Sequence, residues 1–267
     1  MGGAITAEFR KFFTTRLWWG MGIGVFVAGA GLAGLFAAIA GSDFGGGGPG
    51  GRTIRLDPTQ TATNVYVSGL SLAYLMTLAV GVMGIGSEYR HKTITSTFLS
   101  TPRRVRVMAA KVVSLLGTGA MYGLIFMVGS VGVGATVLTL RGMSAFPEAG
   151  PILRTLALSL LVLGLWGLIG LGAGILIPNQ VAALFIGVAV AWIVEPLFGL
   201  LLNIWDFSRE YVAPFLPSSA TSAAFNAISQ NADEVRLEWW GGALVLMTYA
   251  VLLAGVGIWR MARADIS

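Results

Sequence analysis

The chain contains no cysteine and a single histidine, His91. Disulfide frameworks, thiolate metal sites and cysteine nucleophiles are therefore excluded. A histidine-rich metal centre is impossible, and a Ser-His-Asp triad has one candidate base. Charge is scarce as well. Asp, Glu, Lys and Arg make up 11% of the 267 residues, against 55% hydrophobic, about half the charged share of a soluble domain. The shortage is uneven: long stretches carry no charge, and the charges crowd the gaps between them. That is the pattern of a chain threaded repeatedly through lipid. Glycine, by contrast, is abundant at 38 residues, as expected where membrane helices approach closely.

Six apolar runs are long enough to span, which predicts an all-α polytopic membrane protein with one transmembrane domain over 1–267. They are 17–40, 65–87, 112–140, 155–177, 181–204 and 239–259. The first would reach about 36 Å as a helix, enough to cross a core of about 30 Å with some tilt. It is longer than a signal-peptide core, and a polar segment precedes it, so it is expected to be a retained helix. The third would reach about 43 Å, which predicts tilt, a kink or extension into one interface. Glu195-Pro196 interrupts the fifth. Trp18, Trp19, Trp239, Trp240 and Trp259 lie near span ends, where aromatic belts form.

An even number of spans puts both termini on one side. That side would hold 11 of the 17 basic residues, including Arg10, Lys11, Arg90, Lys92 and Lys111, against the acids Glu8, Glu88 and Asp265. The positive-inside rule therefore predicts a multi-pass protein of the cell membrane with both termini and the 88–111 segment in the cytoplasm. The net charge of +5 is read as a topology signal, not as a nucleic-acid surface.

Two external segments stand out. Within 41–63, Gly46-x4-Gly51-Arg52-Thr53 is one residue short of a phosphate-binding P-loop, has arginine for lysine and follows no strand, so it reads as a low-complexity loop. Within 205–238, the uncharged stretch 211–232 is polar and broken by Pro214 and Pro217. It fits a hairpin dipping into the outer leaflet, with an ordinary surface loop as the alternative. Glu195 is a carboxylate inside a span and should face protein or water. Two readings stand at equal weight. One is a substrate or gating contact, or a pair with Arg154 or Arg209. The other is a protonated or helix-capping acid beside the Pro196 break.

Between the second and third spans lies Glu88-Tyr89-Arg90-His91-Lys92-Thr93-Ile94-Thr95-Ser96-Thr97-Phe98-Leu99-Ser100-Thr101-Pro102-Arg103-Arg104. Its spacing predicts a short helix with Ile94, Phe98 and Leu99 on one face, ended near Pro102. Such a face needs lipid headgroups or a partner protein to cover it.

This segment resembles the E-Y-R-x-G-T-I…T-P-R-R stretch of the type-2 permeases of bacterial ABC exporters. Glu88, Tyr89, Arg90, Thr93, Ile94, Thr101, Pro102 and Arg104 match, and Lys92 stands where the family usually has glycine. Asn179-Gln180-Val181 followed by Glu195-Pro196-Leu197 is similar to the family's fifth helix. Phe215-Leu216-Pro217 is similar to its external re-entrant region. The resemblance implies a coupling helix, carried by Glu88–Arg104, that seats in an ATP-binding subunit. It also implies an amphipathic elbow helix over 3–16 at the headgroups, and pairing with a second permease copy, identical or not. ATP and Mg would then be bound by the partner subunit, with no catalytic residue, cofactor or metal expected in this chain. A drug, a lipid or a hydrophobic peptide would suit the apolar interior.

Other classes have less in their favour. A secondary transporter tends to show internal repeats and several intramembrane ionisable groups, and here there is one such group and no clear repeat. An intramembrane enzyme needs clustered catalytic groups. A membrane scaffold without an ATPase partner stays open as an alternative.

Overall fold

The computed structural model describes residues 2–40, 57–91, 104–225 and 237–263. Among these the chain is helical, with no strand. The helices are α1 (Gly2–Thr14), α2 (Leu17–Ile39), α3 (Pro58–Val67), α4 (Leu70–Arg90), α5 (Arg104–Leu140), α6 (Ala149–Leu176), α7 (Gln180–Ala189), α8 (Glu195–Leu202), α9 (Asp206–Tyr211), α10 (Pro217–Ala224) and α11 (Trp239–Arg263). A π-helical turn, Val190–Val194, joins α7 to α8. Six candidate spans result by length and apolar composition: α2, the joined α3–α4, α5, α6, the joined α7–α8, and α11.

Each expected span falls on one of these helices, and three start earlier than hydropathy alone predicts, the fourth at Ala149 instead of Thr155. The second begins at Pro58, because Asp57 accepts a hydrogen bond from the Thr59 N–H and Pro58 sits at the first helical position, a strong start signal. The third begins at Arg104, so its extra length is an extension at one end that carries Arg106 and Lys111. It stops at Gly142, whose φ of +73° favours glycine. The Met143 N–H reaches back to the Leu138 carbonyl there, as a Schellman end requires. The turn into α7 is capped by Asn179, whose side-chain oxygen accepts from the N–H groups of Val181 and Ala182.

Helix α6 is central and packs on α4, α5 and α11, while α5 also lies along α2. Contact is close enough to demand glycine. A Cβ on Gly170 would overlap the Leu78 carbonyl oxygen, and one on Gly119 would overlap the backbone of Gly164. These glycines seat helices within this chain. Large buried side chains such as Trp166, Tyr122, Phe126 and Leu171 fill the interior. The joined α7–α8 span is different: Phe185, Trp192, Ile193, Leu197 and Leu200 are all exposed.

Two ends of the bundle can be told apart. Gly86 meets Gln180, Gly174 meets Ile85, and Gly257 meets Ile175. The C-terminal parts of α4, α6 and α11 therefore lie at one end, together with the start of α7. The segments around α9 and α10 lie toward the other.

Candidate functional site

Helix α1 docks across the first of these ends. Its apolar residues find matched surfaces on α5. The Phe9 ring lies where a Cβ on Gly117 would come within 2.8 Å of it. The Phe12 ring meets Tyr122 edge-on at 6.0 Å. The Phe13 ring meets Trp18 at 5.6 Å where α2 begins. This docking carries Glu8 and Lys11 to the ends of α4 and α5.

Four charges meet there in a closed ring of alternating sign. Lys11 Nζ donates to Glu8 Oε1 at 2.8 Å and to Glu88 Oε1 at 2.9 Å. Lys111 Nζ donates to Glu8 Oε2 at 2.8 Å and to Glu88 Oε1 at 2.7 Å. Side-chain exposure falls from 48% at Lys11 to 11% at Glu8, 7% at Glu88 and 3% at Lys111. Burial alone would push the Glu8 carboxyl up. The Lys111 charge and the hydrogen bonds from both lysines outweigh it and hold Glu8 below its ordinary value. For Lys11, burial acts downward, and the hydrogen bonds to Glu8 and Glu88 prevail and raise it. The second Glu88 oxygen is buried and accepts no hydrogen bond among the described residues.

The expected partner-binding residues divide accordingly. Glu88 does not face outward; its carboxylate is committed to the ring. Tyr89 is half-buried against the core. Arg90 is exposed and ends α4, and Arg104 begins α5. Thr93, Ile94, Phe98, Leu99 and Pro102 lie outside the described residues. Sequence reasoning missed the ring because its members lie on two segments far apart in the chain, Glu8 and Lys11 on one and Glu88 and Lys111 on the other, and were counted as topology charges. One signal was present: Met108, Lys111, Leu115, Thr118 and Tyr122 follow helical spacing, and all are buried. A lysine in phase with a buried stripe calls for a partner.

At the other functional candidate, Glu195 is 7% exposed. It opens α8, and its own N–H bonds to the Val190 carbonyl five residues back, which forms the π turn. Pro196 follows at the start of α8 and has no N–H to restore the regular ladder. The Glu195 carboxylate accepts the backbone N–H of Ser218, in the first turn of α10. This is a helix-capping acid. The expected pair with Arg154 or Arg209 does not form: Arg154 lies over the Trp239 ring at 5.2 Å, and Arg209 holds Asp206 at 2.8 Å.

The same helix α10 is anchored at depth. Trp166 Nε1 donates to Thr221 Oγ1 at 3.1 Å, about 25 Å along α6 from Ala149 by helical rise. Ala220, Thr221, Ala223 and Ala224 are buried. Leu216 caps α10, Pro217 is its first residue, and Phe215 remains 47% exposed. Residues 213–225 therefore fold back against α6, with Ala213, Pro214, Ala220, Thr221 and Ala223–Phe225 buried. Tyr74, stacked on Trp166 at 4.2 Å, and Tyr249 lie within electrostatic range of Glu195.

Comparison with known protein families, with curated proteins and with solved structures returns no match. The exporter resemblance rests on the motif residues themselves.

Proposed function

We propose that this chain is the membrane-spanning permease subunit of an ATP-driven ABC exporter, moving its substrate outward with energy from a separate ATP-binding subunit. The observation that carries the reading is the setting of the Glu88–Arg104 motif. It links two candidate spans whose ends are joined by the buried Glu88–Lys111 pair, 2.7 Å apart. A segment between two spans transmits force from a partner only if its flanks resist independent movement, and this pair supplies that resistance. Within the reading, the ring end faces the cytoplasm, in keeping with the excess of Lys and Arg there. Helix α1 is the elbow at the headgroups, and residues 213–225 form the external re-entrant element. The exposed α7–α8 span faces lipid or a second permease copy. Glu88 then acts by holding the coupling segment, and the exposed Arg90 and the apolar Ile94, Phe98 and Leu99 are the partner-facing candidates.

Purification of the tagged protein from its native membrane in mild detergent tests this. An ATP-binding subunit should co-purify with ATPase activity, and Phe98→Asp should release it. A folded chain that carries no ATPase partner would overturn the exporter reading in favour of a secondary transporter or a scaffold.

A further inference from the structure

The charge ring has an unusual partition. Two of its four contacts do not cross between α1 and the rest of the molecule: Glu8–Lys11 is an i,i+3 pair on α1, and Glu88–Lys111 joins α4 to α5 inside the bundle. The other two, Lys11–Glu88 and Lys111–Glu8, cross between α1 and the bundle. Lifting α1 breaks only the crossing contacts. It leaves two neutral pairs and strands no buried charge, so the dominant penalty for opening a buried ion pair does not apply. The apolar part of the interface is Phe9 on Gly117, Phe12 on Tyr122 and Phe13 on Trp18. Docking of α1 is thus strong enough to order four charges and cheap enough to reverse.

The docked state also braces a connection that α4 and α5 make at this end through a single ion pair. Helix α4 packs mainly on α6, and α5 packs mainly on α2 and α6, with little direct contact between α4 and α5. At this end, Glu88–Lys111 bridges them, and Glu8 and Lys11 each brace one side of that bridge.

We propose that α1 is a reversible clamp, with Glu8 and Lys11 as positioning residues that act through Glu88 and Lys111 to fix the spacing of the α4 and α5 ends. The clamp itself rests on geometry alone. Its consequence for a partner, that undocking α1 loosens the flanks of residues 92–103 and weakens coupling, rests on the exporter reading.

The absence of cysteine makes the test direct. In the full chain reconstituted in vesicles, nitroxide pairs on Thr6→Cys/His91→Cys and on Arg90→Cys/Arg106→Cys report the α1–α4 and α4–α5 distances by pulsed EPR. All four positions are exposed. Each pair should give one narrow distance in the parent. Glu8→Gln/Lys11→Gln, which leaves the Glu88–Lys111 pair in place, should abolish the narrow peak for both pairs. Inverting all four charges (E8K, K11E, E88K, K111E) preserves the alternation and should restore both peaks. An unchanged α4–α5 distance in the double variant overturns the clamp, as does a folded inverted variant whose peaks stay broad. Co-purification of an ATP-binding subunit is scored separately on the same samples. If no partner appears even with the parent, the exporter reading fails while the distances still decide the clamp.

Discussion

Lys11 and Lys111 donate to the same two carboxylates at nearly the same distances, yet they should not be equivalent. Lys111→Met takes the cation from a site that is 97% enclosed by the measure that leaves Lys11 about half open, at 3% and 48% exposure. Glu88 and Glu8 would then share one partly hydrated lysine, and a buried carboxylate that loses its partner costs about 3–5 kcal/mol. Lys11→Met opens a position that water already reaches, and the expected loss is about 0.2–1 kcal/mol. For a chain of this size, about 2–4 °C of midpoint shift accompanies each kcal/mol. Lys111→Met should therefore lower the thermal midpoint by roughly 6–20 °C, and Lys11→Met by less than about 4 °C. Tryptophan fluorescence in detergent measures both. The pair replacement Glu88→Gln/Lys111→Met should recover most of the loss, because removing both partners removes the stranded charge. Equal shifts for the two lysine variants would refute the argument that burial, and not the count of contacts, sets the value of each cation.

Three further outcomes are expected. Glu195→Ala leaves the Ser218 N–H without its acceptor and should cost about 1–3 kcal/mol, with faster amide exchange over 217–224. Under the proposed exporter function, Glu195→Gln keeps an acceptor and should fold and bind the ATP-binding subunit normally while impairing export; normal export by that variant would remove Glu195 from that mechanism. Gly170→Ala drives a methyl into the Leu78 backbone and should cost about 1–3 kcal/mol, whereas Gly31→Ala, with open space around it, should be neutral or slightly stabilising by thermal melt. The docking of α1 should also depend on pH. The folded-state value of Glu8 lies below its unfolded value of 4.5, so its stabilisation is present above pH 4.5 and lost as pH falls through the folded value. Lys11 is raised above 10.5, so its part is complete below that pH and lost only as pH rises through the higher folded value. The Thr6–His91 distance should stay constant between about pH 6 and 9 and broaden in acid.

Much of the architecture was legible because lipid imposes a simple rule: uncharged runs of sufficient length become spans. The rule marks the apolar part of each helix and not the helix itself. It therefore missed the polar first turns of α3, which Asp57-Pro58 announces, and the charged start of α5. Glu195 was legible as an anomaly, a carboxylate inside an apolar run. Its acceptance of the Ser218 N–H depends on a fold-back that no local pattern specifies. The ring was the least legible feature. Its members are separated by up to 103 positions, and each alone resembles an ordinary interfacial charge. Only the helical phase of Lys111 with Met108 and Leu115 distinguished it.

The fold-back of α10 also constrains the order in which the molecule can be made. Glu195 leaves the ribosome 23 residues before Ser218, and α10 is held against α11, where Gly242 fits against Ala220 and Ala224. Until α10 has been made and seated, the acid of the fifth span lacks its cap, and α11 then holds α10 in place. The N-terminal half has no such debt, since Glu8, the first ring member made, finds its last partner once α5 begins. The ring can therefore close before the fold-back does, and α11, by packing on α10, secures the cap of the fifth span.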